Sequence, residues 1–164
     1  MMRKQARLQD RLLIGWREWV GLPDLQVDWI KAKIDTGART SAIHAWNIAE
    51  HGNGRTREVT FDLHPVQRDN GTIVSCRAPL VGTRQVRSSS GHSETRHVIR
   101  TTLALGDRSW EIELTLTNRD EMGFRMLLGR TALRGRVIID PGRSFMTRRL
   151  APKRSADMTG EKSP

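Results

Sequence analysis

Lys33-Ile34-Asp35-Thr36-Gly37-Ala38-Arg39-Thr40-Ser41-Ala42-Ile43 brings a single carboxylate to the end of an apolar-alternating run and into a tight turn. A carboxylate held this way can take a proton from water or give one to a carbonyl oxygen. Two of them brought together share one proton, because both cannot ionise cheaply. Taken alone, Asp35 reads as a turn former, since Asp, Thr and Gly recur in turns for local reasons. Farther along, Met126-Leu127-Leu128-Gly129-Arg130-Thr131-Ala132-Leu133 reads as an apolar strand, a glycine and a short helix. The chain carries one copy of each element. It therefore supplies one aspartate to a chemistry that needs two.

The elements that must position Asp35 read mostly as strands. Leu13 to Val20 and Val27 to Thr36 are expected as two strands around a Gly21-Leu22-Pro23-Asp24 turn. Ile30, Ala32 and Ile34 alternate with Lys31, Lys33 and Asp35, the period of two for a strand with one buried face. Val59, Phe61 and Leu63 alternate likewise, and Thr72 to Cys76 is a further strand. Residues 82–96 have few apolar anchors and read as a mobile loop or hairpin tip. His97 to Leu105 and Ser109 to Thr117 form a hairpin around Gly106-Asp107-Arg108, with Trp110, Ile112, Leu114 and Leu116 on one face. Met126 to Leu128 is a buried strand, Thr131 to Arg134 a short helix, and Val137 to Asp140 a strand that Pro141-Gly142 ends. The expected fold is all-β, a closed or folded-over sheet with one short helix near the C-terminus. A flexible basic stretch, 1–12, precedes one domain, 13–147, and a disordered basic tail, 148–164, follows it.

The chain has 164 residues and a formal charge of +10. Residues 1–150 hold 25 basic against 16 acidic side chains, so the body and not the tail carries the surplus. Such a surface favours an anionic partner: nucleic acid, an acidic peptide or a membrane face. Cys76 is the only cysteine, which excludes an internal disulfide, and its apolar neighbours suggest a small buried residue and not a nucleophile. The N-terminus lacks an apolar leader, and no run reaches transmembrane length. The expectation is a soluble, cytoplasmic protein with no membrane contact. No His-Glu-x-x-His, cysteine pair or Gly-x-x-x-x-Gly-Lys-Ser/Thr loop is present, and His44, His51, His64, His92 and His97 are scattered. The sequence thus offers no metal site and no cofactor.

Several blocks together resemble a known family. They are Gly15-Trp16-Arg17-Glu18-Trp19-Val20, Lys31 to Ala42, His64-Pro65-Val66-Gln67-Arg68, Arg96 to Thr101, Ile112 to Arg119 and Met126 to Ala132. Across residues 13–147 the chain is similar to the retropepsin-like aspartic peptidases, and among them to the bacterial branch labelled ATP-dependent zinc proteases. The resemblance implies a retropepsin-like β-barrel and peptide-bond hydrolysis by Asp35, Thr36 and Gly37. Thr36 would brace a partner loop and Gly37 would allow close backbone approach. Ala38 stands where related enzymes carry Ser, which implies activity nearer neutral pH. Gly129 would let its strand pass behind the catalytic loop. Arg130 would pair with an acidic group or carbonyls beneath it, unless it is a solvated arginine at a helix start. Residues 82–96 would be a flap over the substrate, or an ordinary surface loop.

The family is associated with ATP-grasp ligases that add glutamates to a ribosomal protein, which implies an acidic peptide or glutamylated protein as substrate. Lys33, Ala38, Arg39, Arg87, Arg96, Arg100 and Arg130 are the candidates to line its groove. Any one of the charged side chains is also readable as solvated surface. The single Asp-Thr-Gly implies a homodimer, as in retropepsins. The chain departs from the short retroviral pattern before the first motif, between Ala45 and Asn70, and beyond Pro141, and these additions lie where pairing surfaces could be covered. Two other readings stay open: a non-catalytic basic module that binds RNA or the ribosome, and a metal-dependent peptidase.

Overall fold

The two-residue apolar period becomes strand through most of the chain in a computed structural model, which describes residues 7–65, 71–87, 90–118 and 123–147. The expected tail, 148–164, lies outside the described residues. The strands are β1 (Leu12–Ile14), β2 (Arg17–Leu22), β3 (Val27–Ile34), β4 (Ser41–His44), β5 (Trp46–His51), β6 (Glu58–Leu63), β7 (Val74–Arg87), β8 (Ser93–Leu105), β9 (Arg108–Thr117), β10 (Met126–Leu128) and β11 (Val137–Ile139). The α-helix among the described residues is α1 (Arg130–Leu133).

One sheet runs β2-β3-β10-β4-β9-β8-β7-β6-β5. Gly21 of β2 also pairs with Ala104 of β8, which closes six strands into a barrel. A Cβ on Gly21 would lie 3.0 Å from the Asp28 carbonyl oxygen and 3.4 Å from the Ala104 Cβ, so the barrel closes on two small residues. The all-β barrel with one short C-terminal helix is the fold found.

Its core is the apolar face of each alternation. Ile30, Ala32 and Ile34 come from β3, Ile112, Leu114 and Leu116 from β9, Val59, Phe61 and Leu63 from β6, and Met126 and Leu128 from β10. Each fully buried large side chain contributes about 1.5–3 kcal/mol relative to exposure. Trp110 is buried under α1 and donates its indole N–H to the Ala132 carbonyl at 2.8 Å.

Several boundaries differ from the expectation. Leu13 to Val20 is not one strand. It breaks at Gly15-Trp16, where a Gly15 Cβ would collide with the Arg143 carbonyl and Trp16 N–H donates to that same carbonyl at 2.8 Å. β2 then runs on through Leu22, and the turn falls at Pro23–Leu25, a 3-10 turn closed by Gln26 at φ 59°. Of the two readings of residues 82–96, mobile loop or hairpin tip, the hairpin is the one found, and its paired arms reach farther than a tip: Gly82 to Arg87 pair with Ser93 to Val98. Toward the tip the side chains are exposed or half-buried, and only Arg96 and Val98 at the base are buried, so backbone pairing more than an apolar face holds the arms, and the sequence lacked a periodic signal. Residues 88–89 of the tip lie outside the described residues. β7 reaches far past Cys76, pairing with β6 up to Pro79 and with β8 from Leu80 onward. Proline has no N–H to donate, and it falls where the strand changes partner.

The segment after β11 is tied down by an unusual group. Glu18 of β2 is fully buried. Its carboxylate accepts from the backbone N–H of Gly15 at 2.7 Å, of Met146 at 2.9 Å and of Thr147 at 2.9 Å, and from the Thr147 hydroxyl at 2.8 Å. Four donors replace the water a buried carboxylate loses. Phe145 stacks on Trp19 at 5.9 Å between ring centroids and lies 4.8 Å from the Arg17 guanidinium.

Candidate active site

Asp35 follows β3 directly, and the loop it opens runs to Ser41 at the start of β4. These two strands are consecutive in sequence but not in space. β10 is inserted between them, parallel to β3 (Leu128 opposite Ile34) and antiparallel to β4 (Leu127 opposite Ala42). The loop must therefore cross over the end of β10, and the residues after β10 meet it from beneath. Asp35 N–H donates to the Leu128 carbonyl at 2.9 Å. Arg130 N–H donates to the Ala38 carbonyl at 2.8 Å, and Thr131 donates to the Arg39 carbonyl through its N–H at 3.2 Å and its hydroxyl at 2.9 Å. The Arg130 guanidinium donates to the Thr36 carbonyl at 2.9 Å. Gly129 N–H donates to the buried Ser41 Oγ at 3.0 Å, while the Ser41 carbonyl accepts from the Thr115 hydroxyl at 2.7 Å.

The crossing leaves no space for a side chain at position 129. A Cβ there would sit 2.7 Å from the carbonyl carbon and oxygen of Thr40 and 2.9 Å from the Ala38 oxygen, all backbone atoms. At Gly37 a Cβ would lie 3.2 Å from Asp35 Oδ1. That oxygen accepts the Gly37 N–H at 3.1 Å. Among the described residues it is the one hydrogen bond the Asp35 carboxylate accepts, and Asp35 forms no ion pair there. Asp35 is half-buried, its carboxylate is held in direction by that bond, and among the described residues no hydrogen bond reaches its second oxygen.

The candidate residues divide by location. Lys33 lies two residues before Asp35 on β3, half-buried, opposite Arg17 and Leu127. Thr36, Gly37, Ala38, Arg39 and Arg130 all belong to the braced loop or its support. Arg130 is turned onto the loop's own backbone. Arg87 is exposed near the end of the β7–β8 hairpin, opposite Ser93. Arg100 is exposed on β8 and paired with Glu111 at 3.3 Å. Arg96 is buried and paired with Glu94 at 3.0 Å. The linear sequence does not show that these last two charges meet carboxylates from the same sheet. It also gave no sign of Ser41 or Thr115, because a serine or threonine in a strand looks the same whether or not it braces a loop.

Asp140 offers a comparison. It ends β11, donates its N–H to Ile14 at 2.8 Å, and accepts the Gly142 N–H at 2.9 Å, the same turn that Asp35 makes. Yet its carboxylate pairs with Arg143 at 3.5 Å, and among the described residues no glycine-helix element supports its turn. The zinc in the branch label finds no fit: among the described residues no three His, Cys, Asp or Glu side chains gather to hold a metal ion. Cys76 is buried, and burial first, with the Asp62 charge second, raises its thiol from the ordinary 9.0 to about 11. A buried thiol that keeps its proton is a poor nucleophile. No helix among the described residues is long and apolar enough to cross a membrane.

A family described as "Retropepsin-like aspartic endopeptidase RimB" matches residues 13–150. Curated relatives named "Probable alpha-L-glutamate ligase" align with most of the chain. The relative from Desulfotalea psychrophila is 51% identical over 129 residues, covering 79% of this chain and 28% of the relative. That from Parasynechococcus marenigrum is 49% identical, covering 80% and 28%. That from Shewanella pealeana is 47% identical, covering 83% and 30%. The chain thus spans less than a third of the length of these relatives. Among solved structures, Lpg0085 from Legionella pneumophila, a protein of unknown function, superposes with a TM-score of 0.69 at 28% identity, covering 83% of this chain and 98% of that one.

Proposed function

Since the chain belongs to the RimB-like family of retropepsin-like aspartic endopeptidases, we propose that it hydrolyses peptide bonds with Asp35 as one half of a carboxylate pair. The observation that carries this reading is the free second oxygen of Asp35 at the tip of a loop braced by Gly129, Arg130 and Thr131. A turn former would need no such support. A second copy of the chain supplies the other Asp35 across a twofold axis. The charged carboxylate takes a proton from water, whose oxygen adds to the scissile carbonyl, while the protonated one gives its proton to the carbonyl oxygen. The resulting diol collapses, and the amine leaves with a proton returned by the pair. The β7–β8 hairpin, long and solvent-facing, is the cover that excludes water during this step.

The substrate is an acidic, glutamate-rich peptide or protein tail, in keeping with the basic body. The relatives' names support a link to glutamate ligation. Because the match covers under a third of each relative, the ligase activity in their names belongs on this reading to the remainder of those proteins. This chain is the counterpart of one module, working on what such a ligase makes. The test is Asp35→Asn, which keeps the loop's shape and removes the proton transfer. Cleavage of a glutamate-rich peptide should fall at least about a hundredfold. Cleavage at the wild-type rate rules the mechanism out. Loss of activity with a chelator, restored by zinc, would favour a metal-dependent peptidase instead.

A further inference from the structure

Gly15-Trp16-Arg17-Glu18-Trp19-Val20 is one of the marked blocks of the sequence, and no step of the proposed hydrolysis uses it. Its place is at the end of β3, where the Asp35 stem is held from two sides. On one side Asp35 N–H donates to the Leu128 carbonyl at 2.9 Å, next to the brace of Gly129, Arg130 and Thr131. On the other side Ile34 N–H donates to the Trp16 carbonyl at 2.8 Å. Trp16 lies outside the ladder, in the break between β1 and β2, and β2 pairs with β3 only from Arg17 opposite Lys33 onward. In a regular antiparallel pair, opposite residues of this kind exchange both bonds. Trp16 instead gives its N–H to the Arg143 carbonyl at 2.8 Å, in the segment after β11.

Glu18 holds both parts of this corner. One oxygen of its fully buried carboxylate accepts Gly15 N–H at 2.7 Å and Met146 N–H at 2.9 Å. The other accepts Thr147 N–H at 2.9 Å and the Thr147 hydroxyl at 2.8 Å. Phe145 N–H donates to the Arg17 carbonyl at 2.9 Å, and a Gly15 Cβ would collide with the Arg143 carbonyl, so the two segments meet backbone to backbone. Phe145 has φ of 55°, the left-handed region that a phenylalanine rarely adopts, so its surroundings and not its own preference set it there. Without the carboxylate, the N–H groups of Gly15, Met146 and Thr147 lose their acceptor together. The carbonyl that receives Ile34 N–H then loses its support. A misplacement of about 1 Å costs on the order of a hundredfold in rate. Resting on the reading of Asp35 as catalytic, we propose that Glu18 is a positioning residue for Asp35. Through Gly15 and the segment 143–147 it fixes the Trp16 carbonyl, and with it the end of β3. It touches no substrate, so it governs turnover and not binding.

Glu18→Gln in the full chain tests this. Glutamine keeps the shape but turns its NH2, a donor, toward N–H groups that need an acceptor. Amide hydrogen exchange at Ile34 reads the coupling without turnover. It should be at least about tenfold faster than in wild type, as expected for the loss of hydrogen bonds to a charged group. Phe61→Leu, a core change on β6, serves as the control, each protein being held equally far below its own melting temperature. It should leave Ile34 exchange slow. With a glutamate-rich peptide, Glu18→Gln should lower kcat at least about tenfold and leave KM within about twofold, whereas Phe61→Leu should keep both. Thr147→Val removes one of the four donors and should change Ile34 exchange and kcat in the same sense by about threefold to fivefold. Should Glu18→Gln fail to fold, Thr147→Val carries the test. Ile34 exchange at the wild-type rate in the variant that carries the test overturns the role. So does a rise in KM in place of the fall in kcat, or a Phe61→Leu protein that shows the same losses. A failure of the hydrolysis reading looks different: wild type leaves the peptide uncut, while Ile34 exchange still responds to Glu18→Gln.

Discussion

Asp35 and Asp140 show how little separates a turn former from a candidate catalyst. Both accept the N–H of the glycine two residues on, at 3.1 and 2.9 Å. Asp140 spends its remaining capacity on Arg143, whereas the arginine nearest in function to Asp35, Arg130, is directed to the Thr36 carbonyl. The difference is in the surroundings and not in the tripeptide. Cys76 makes the complementary case, a reactive residue type made inert by its place. Its thiol ionises near 11 in the folded chain against 9.0 ordinarily. The folded state therefore keeps the proton where the unfolded state loses it. The stability this contributes is complete below pH 9.0 and declines as pH rises toward 11. Wild type should lose more stability than Cys76→Ala over that window in denaturant melts. Iodoacetamide at pH 8 should label Cys76 slowly until the protein is unfolded. Fast native labelling would contradict the burial.

At the scale of elements, one strand decides the site. β10 has three residues, yet its insertion between β3 and β4 forces the Asp35 loop to cross it and brings Gly129 within van der Waals distance of the loop's backbone. Gly129→Ala puts a methyl carbon 2.7 Å from Thr40 backbone atoms that cannot swing aside. Overpacking of this kind costs about 1–3 kcal/mol. The relief available is a shift of the loop that carries Asp35, so activity should fall much more than stability does. Equilibrium unfolding and peptide turnover measured on the same preparation test this. A variant with full activity would mean that the loop position is not critical.

For the molecule as a whole, the charge and the single Asp35 each lead to a measurement. Residues 1–150 carry nine more basic than acidic side chains. Attraction between exposed charges is screened beyond about 8 Å at physiological ionic strength. The preference for glutamate-rich over neutral peptides should therefore shrink across a salt series. Equal turnover of both at every salt concentration would remove the acidic-substrate reading. RNA binding that weakens with salt, without peptide turnover, would favour a basic binding module. On the proposed mechanism each of two chains contributes one Asp35 to the pair, so specific activity should drop on dilution through the dissociation range, with sedimentation reporting the same midpoint. A monomer of constant specific activity would refute the shared pair.

Alternation in Lys31 to Asp35, in Val59 to Leu63 and in Trp110 to Leu116 was enough to determine strands and their buried faces, because side-chain direction repeats every two residues wherever the backbone goes. Asp35-Thr36-Gly37 and Leu128-Gly129-Arg130 likewise marked the two elements that meet at the candidate site. What no local pattern contains is which strand lies beside which. The insertion of β10 between β3 and β4, the seam between Gly21 and Ala104, the solvent-facing pairing of Gly82 to Arg87 with Ser93 to Val98, and the pairing of Arg96 with Glu94 all depend on chain segments far apart in sequence. Backbone pairing is nearly blind to residue type, and a charge reads the same in sequence whether it meets water or a partner. Only the closed barrel determines which arginines are buried beside the Asp35 face and which are left to the solvent.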